Sequence, residues 1–381
     1  VKSALAQLRP VRVVGIGLHP YQKPDDTPYT QLGVHAIRGA LADAKLQWTD
    51  IDSAYTGTAT TSMALSRLMY RHLGVTGIPM TQVENASASG STAFRQACID
   101  VACGLADVAI AVGVDKPVQV SMPQKAAGIT ELVGNRMSPV THFALLAQRY
   151  MFDSGASAEQ IAAVAVKNSA NSVLNANAQR PKARTLEEIL APPLISGIFT
   201  RLQCCPIGQG AAAAIVASDD AIERLGIDEQ RTVTVAASAA RSEMIYGTTN
   251  FDAALTRETT RQALAEANMT PEDLDLVELH DAFTVEELLY AEAIGLCKDG
   301  QAAAALAAGE FDRGGRVAIN TSGGLLSMGH PIGPTGVGQI AELTTQLRGE
   351  AGPRQHQGAR TGLAHMVGLG AVCVVHVLTQ R

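Results

Sequence analysis

Ala40-Leu41-Ala42-Asp43-Ala44-Lys45-Leu46-Gln47-Trp48-Thr49-Asp50-Ile51-Asp52 stands near the start of the chain. Far downstream stands Ala263-Leu264-Ala265-Glu266-Ala267-Asn268-Met269-Thr270-Pro271-Glu272-Asp273-Leu274-Asp275, and the two align without a gap. Each copy closes an Ala-rich amphipathic helix, makes a short turn, and ends on an apolar residue followed by Asp. A strand is expected directly after each, at 53–57 and at 276–280. Two Ala-rich helices could share their first positions by composition, but hardly the turn and its ending as well. The chain therefore reads as an internal duplication, an α/β protein built in two halves.

Working outward, strands are expected at 11–17 and 108–114 in the first half, with a helix at 90–104. In the second half, strands are expected at 231–237, 316–320 and 371–378, with a helix at 336–347. Residues from about 117 to 199 break the duplication. They are richer in Met, Gln, Asn and Pro, and hold two expected helices, 140–154 and 158–176. The small-residue run 208–218 ends in a strand that returns to the first half. The expected organisation is an N-terminal half from 1–118 and 200–228, an inserted loop domain at 119–199, and a C-terminal half at 229–381.

The 381 residues, 46% hydrophobic and 17% charged, suffice to bury a core of two or three subdomains. A net charge of -6, with Lys and Arg scattered singly, argues against a nucleic-acid surface. The six cysteines lack CxxC spacing and sit in apolar or helical contexts. Reduced, buried thiols in a cytoplasmic protein are the expectation, rather than disulfides or a zinc site. No apolar run reaches the ~18 residues of a membrane helix, and no secretory signal opens the sequence.

Three loops are candidates for chemistry. Glu84-Asn85-Ala86-Ser87-Ala88-Ser89-Gly90-Ser91 runs from a short strand into a helix, with small residues at its mouth. Two readings stand for it: ordinary capping by the serines, or a backbone pocket for negative charge at a helix N-terminus. His280-Asp281-Ala282-Phe283 follows a strand and precedes the helix expected at 284–294. A histidine at a strand end is more often structural, so this motif alone decides nothing. Asn320-Thr321-Ser322-Gly323-Gly324-Leu325-Leu326-Ser327-Met328-Gly329-His330-Pro331-Ile332-Gly333-Pro334-Thr335-Gly336 is the strongest. Its glycines and prolines force tight turns and expose backbone around His330, just ahead of a helix.

Together these motifs resemble those of thiolases. Asn85-Ala86-Ser87-Ala88-Ser89-Gly90 is similar to the loop Asn-x-Cys-x-Ser-Gly, with Ser87 in the position of the nucleophilic cysteine. The stretch ending Ala111-Val112-Gly113-Val114-Asp115-Lys116 is similar to the strand that follows in that family. His280-Asp281-Ala282-Phe283 resembles the His-Asp-Cys-Phe signature of the sterol-carrier-protein-type branch, but carries Ala282 for the cysteine. Gly329-His330-Pro331 resembles the triplet whose histidine binds the thioester oxyanion. Residues 362–370 look like the loop that holds a second cysteine in other thiolases. That position falls on Val367, and His365 is similar to a histidine often seen in the sterol-carrier branch.

The resemblance covers nearly the whole chain and implies a thiolase fold, two duplicated α/β halves layered α-β-α-β-α plus an inserted loop domain. It implies acyl transfer on a coenzyme A thioester, with no covalently bound cofactor. Ser87, His280, His330 and His365 would be catalytic, and Gly329, Gly368 and Gly370 would line the thioester. CoA phosphates would meet basic residues of the insertion, among Lys125, Arg136, Lys167, Arg180, Lys182 and Arg184. A homodimer is implied, and a small zinc-ribbon and OB-fold partner belongs to this branch. Ser87 and Ala282 depart from the pattern, and two such changes fit natural divergence better than one deliberate substitution. They leave two alternatives: a retro-aldol lyase on 3-hydroxyacyl-CoA, and a non-catalytic CoA-thioester or lipid-binding protein.

Overall fold

The computed structural model describes residues 5–61, 63–117, 139–245, 251–369 and 371–380. The helices that build the framework are α1 (Tyr29–Ala44), α2 (Ser89–Ala102), α3 (Pro139–Ser154), α4 (Ala158–Ser172), α5 (Phe251–Ala267), α6 (Thr284–Ile294) and α7 (Ile332–Leu347). The strands of the main sheet are β1 (Arg12–Gln22), β2 (Ser53–Gly57), β3 (Met80–Val83), β4 (Val108–Asp115), β5 (Gln209–Ala217), β6 (Val233–Ser242), β7 (Leu276–Glu278), β8 (Ala318–Ile319), β9 (Thr361–Gly368) and β10 (Val372–Thr379).

The two repeated stretches do the same work in each half. α1 ends at a left-handed Lys45 (φ 57°) and α5 at a left-handed Asn268 (φ 55°). In the turns that follow, Asp50 accepts the Gln47 amide at 2.7 Å and Asp273 accepts the Thr270 amide at 2.8 Å. Asp52 then accepts the amides of Asp107 and Val108, which open β4, both at 2.9 Å. Asp275 does the same for Arg360 and Thr361 at the start of β9, at 2.7 and 2.9 Å. The repeated aspartates thus tie one strand entry to the next.

The sheet repeats this symmetry. Its ten strands run β8-β7-β9-β10-β6-β1-β5-β4-β2-β3. Counted outward from the centre, each half follows its own strands in the order first, fifth, fourth, second, third. In both, the fifth strand is antiparallel to its neighbours and the second is parallel to the third and fourth. The halves meet where β1 and β6 pair through Arg12 with Thr234 and Val13 with Val233. α2 and α7 pack on each other between the half-sheets, while α1 covers the outer face of the first and α5 that of the second. This is the layered α-β-α-β-α order.

β4 and β5 are buried throughout, as their Val, Ile and Ala runs require. α6 is buried on every side because α3, α4 and α5 pack around it. That explains why its carboxylates must find partners indoors. Several expectations needed correction. Residues 361–368 form strand β9, not a loop; glycines at both ends disguised an apolar interior paired with β10 and β7. Helix α7 begins at Ile332 rather than 336, because Pro334 falls in the first turn, where no backbone donor is lost. All six cysteines are free thiols, but only Cys98 and Cys373 are buried as expected; Cys204, Cys205 and Cys297 are half-buried and Cys103 is exposed. Among the described residues, no helix is long and apolar enough to cross a membrane.

Candidate active site

Ser87 sits on the turn between β3 and α2, two residues before the helix begins. Ala86 is left-handed (φ 48°), a conformation that costs an L side chain roughly 1–2 kcal/mol. The turn is braced on both sides: the Asn85 amide donates to Ser89 Oγ at 2.9 Å, and Ser89 donates to the Ala86 carbonyl at 2.6 Å. Ser87 is thereby presented at the N-terminus of a fourteen-residue helix, which favours nearby negative charge by about 0.3–2 kcal/mol.

His330 comes to Ser87 from the other half. Its loop is pulled in by Asp115 at the end of β4, which accepts the Gly333 amide at 2.5 Å as well as Thr58 Oγ1 at 2.7 Å. A side chain at Gly333 would lie 2.7 Å from that carboxylate, so the approach requires glycine. His330 Nε2 stands 3.0 Å from Ser87 Oγ, and His330 Nδ1 stands 2.9 Å from Thr335 Oγ1. Thr335 already donates its one hydrogen to the Pro331 carbonyl at 2.7 Å. It must therefore accept from Nδ1–H, which leaves the Nε2 lone pair to accept the Ser87 hydroxyl. Burial first, and His280 second, push His330 well below its ordinary value of 6.5, so the ring is neutral. The arrangement is a serine–histidine pair backed by a neutral hydroxyl.

His280 lies edge-on to His330, with ring centres 5.4 Å apart. Its Nδ1 is 2.8 Å from Glu286 Oε1, one turn into α6. Glu286 also accepts Tyr290 Oη at 3.1 Å and the Phe283 amide at 2.8 Å. His280 Nε2 is buried and has no hydrogen-bond partner among the described residues. The next residue, Asp281, turns inward to accept the Leu325 amide and Asn168 Nδ2, both at 2.7 Å. Burial and then Glu287 push its carboxyl up, so it supports the loop rather than opening to a ligand.

The structure brings Ser87, His280 and His330 together and sets His365 a layer back. His365 is fully buried in β9, with Nε2 2.9 Å from Thr256 Oγ1 and its ring 4.8 Å from that of Tyr290. Gly368 packs so closely that a Cβ there would lie 2.2 Å from the Asn85 carbonyl, directly behind Ser87. Gly329 takes φ 116° beside His330. Gly370, Lys125 and Arg136 lie outside the described residues. Glu286 was missed by sequence reading, whereas Thr335 and Asp115, the last residue of β4, stood inside quoted motifs without a role of their own.

The basic residues of the insertion divide sharply. Lys167 is buried and committed: it bonds Asn168 Oδ1 at 2.7 Å, the Ile319 carbonyl at 2.6 Å and Glu287 at 3.0 Å. Lys167 is thus a structural cation and not a phosphate ligand. Lys182 lies 3.8 Å from Glu188. Arg180 donates to the Cys204 carbonyl at 3.0 Å, and Arg201 and Arg184 stand close enough to repel it. Arg201 completes this group and was not among the sequence candidates.

Neutral histidines also set the acid response. Burial lowers His365 to about 3, with His280 adding to it. The unfolded chain takes up protons on such rings below about pH 6.5, whereas the fold does not. Acidification therefore favours unfolding by about 1.4 kcal/mol per pH unit for each such ring. Glu278 opposes this, since burial and Glu342 raise it to about 7, and the fold then gains stability as pH falls from there. Urea unfolding of a His365→Phe protein between pH 6.5 and 5 is expected to show a shallower acid loss, by about 1.4 kcal/mol per unit. An unchanged slope would mean that His365 already titrates in the fold.

A nucleophile-type side chain on a half-buried histidine, at a helix N-terminus between two duplicated half-sheets, defines a thiolase-type protein. The chain belongs to the thiolase family: its residues 16–189 match the thiolase N-terminal domain and 237–380 the thiolase C-terminal domain-like family. It is 36% identical over 394 residues to sterol carrier protein 2 of Homo sapiens, covering 97% of this chain and 72% of that protein. It is 34% identical over 386 residues to acetyl-CoA acetyltransferase of Methanothermobacter thermautotrophicus, covering 98% of this chain and 100% of that protein. Among solved structures, the Ltp2–ChsH2(DUF35) aldolase superposes with a TM-score of 0.84 at 24% identity, covering 97% of this chain and 98% of that one.

Proposed function

We propose that the chain is an enzyme of acyl-CoA carbon–carbon chemistry, transferring an acyl group as a 3-ketoacyl-CoA thiolase or acetyl-CoA acetyltransferase does. The observation that carries this reading is the convergence of Ser87, His330 and the unpartnered His280 Nε2 at one helix N-terminus. Ser87 would take the acyl group, with His330 Nε2 receiving its proton. Backbone amides at the helix N-terminus would hold the thioester oxygen, joined by His330 Nε2–H once it has taken the serine proton. Likeness to an acetyl-CoA acetyltransferase supports the substrate class. Coenzyme A is substrate here, with no covalent cofactor.

A retro-aldol cleavage of a 3-hydroxyacyl-CoA is the second reading. Thr335 favours it, because a neutral hydroxyl does little to stabilise the imidazolium that serine attack creates. The aldolase neighbour is a complex with ChsH2(DUF35), so a small zinc-ribbon and OB-fold partner belongs with this reading. A second copy of the chain fits the sheet edge at β3, whose Met80, Thr81 and Gln82 are exposed.

The arginine group gives the CoA phosphates a place. Replacing Arg184 or Arg201 by Ala is expected to weaken acetyl-CoA binding roughly tenfold in calorimetry. Binding of acetyl-pantetheine, which lacks the nucleotide phosphates, is expected to stay unchanged. Equal losses for both ligands would remove the arginines from the phosphate site. No binding of acetyl-CoA at millimolar concentration would sink the functional reading itself.

A further inference from the structure

The alanine at position 282 leaves the site without a cysteine at the place where the sterol-carrier branch keeps its proton carrier. The two histidines differ in one respect that bears on this gap. His330 is backed by Thr335, a neutral hydroxyl whose hydrogen is already given to the Pro331 carbonyl, so Thr335 brings no negative charge to offset a protonated ring. His280 is backed by Glu286, a fully buried carboxylate that holds its Nδ1 at 2.8 Å. Glu286 is itself fixed at both oxygens, by Tyr290 and by the Phe283 amide. With Nδ1–H given to Glu286, the Nε2 lone pair of His280 faces away from it, buried and without a partner among the described residues.

We propose that His280, oriented by Glu286, carries the proton to and from the α-carbon of the bound thioester, the task that Ala282 cannot perform. The inference rests on the reading of this site as a thioester site. In the step, a C–H bond at the α-carbon breaks and an N–H bond forms at His280 Nε2. The C–H electron pair moves between the α-carbon and the carbonyl carbon, and the carbonyl π pair moves onto oxygen, giving the enolate. Glu286 offsets the charge left on the imidazole, and the reverse step returns the proton to carbon. In this step His330 stays neutral and accepts the Ser87 hydroxyl, while backbone amides at the helix N-terminus hold the oxygen. His280 is the catalytic residue in this account, and Glu286 positions it without touching substrate.

Exchange of the α-hydrogens of acetyl-CoA in deuterium oxide reads this step alone, with no carbon–carbon bond made or broken. Binding of acetyl-CoA is measured beside it by calorimetry. His280→Asn keeps a polar side chain of similar reach but cannot carry a proton. It is expected to lose at least about a hundredfold in exchange rate, with its Kd within about threefold of wild type. Glu286→Gln keeps shape and is expected to lose about ten- to a hundredfold in exchange, again with Kd unchanged. Exchange by His280→Asn at the wild-type rate would overturn the proposal. So would a wild-type protein that binds acetyl-CoA and exchanges nothing. Failure to bind at all would instead strike the thioester reading on which the proposal stands.

Discussion

Ser87→Cys is expected to take an acetyl group from acetyl-CoA at least about a hundred times faster than the wild type. A thiol starts near pKa 8.5, and a helix N-terminus lowers it further, so a reactive thiolate fraction exists at neutral pH. An alcohol in the same field stays protonated and depends on a base at the moment of attack. His330 Nε2 is that base, 3.0 Å away, but its other nitrogen leans on Thr335 rather than a carboxylate. The imidazolium formed there is poorly supported, and the serine reacts slowly. Intact mass and release of free CoA thiol follow the acylation directly. A cysteine variant no faster than the wild type would show that the oxyanion donors, not the nucleophile, are deficient.

Lys167→Met is expected to cost about 3–5 kcal/mol of stability, the largest loss from any single change discussed. Lys167 and Glu287 are both buried, 3.0 Å apart, and Asn168 and Asn320 complete the shell of Glu287. Removing the lysine strands a carboxylate with no water to turn to. Lys167→Met with Glu287→Gln removes both charges and is expected to recover most of the loss. Denaturant midpoints of the three proteins measure this. The knot joins α4 of the insertion to α6 behind His280, so it also holds the two regions in register. Equal losses in the single and double variants would mean that packing, not charge, is what the lysine supplies.

Features written locally in the chain were legible before any coordinates. The aspartates of the repeat sit at fixed distances from their helices, and their amide partners open the next strand in each half. The Gly329-His330-Pro331 loop announced itself by glycines and prolines that no helix or strand would tolerate. What stayed hidden was set by the meeting of distant segments. Glu286 reads as an ordinary helix carboxylate until α6 is buried on all sides and its first turn faces His280. Thr335 reads as a helix residue until its hydroxyl is seen to fill the fifth position after His330. Lys167 carried the same charge as the phosphate candidates, and only burial against Glu287 removed it from them. His365 matched a family pattern, yet its strand places it behind Tyr290 rather than beside Ser87.

The central claim is acyl transfer between CoA thioesters at Ser87. It is tested most directly by giving the wild-type protein acetoacetyl-CoA with free CoA, and separately a branched 3-hydroxyacyl-CoA. The products are followed by mass. Slow formation of acetyl-CoA from the first mixture, with the second left intact, is the predicted result. Cleavage of the 3-hydroxyacyl-CoA with acetoacetyl-CoA untouched would contradict acyl transfer and make the protein a lyase.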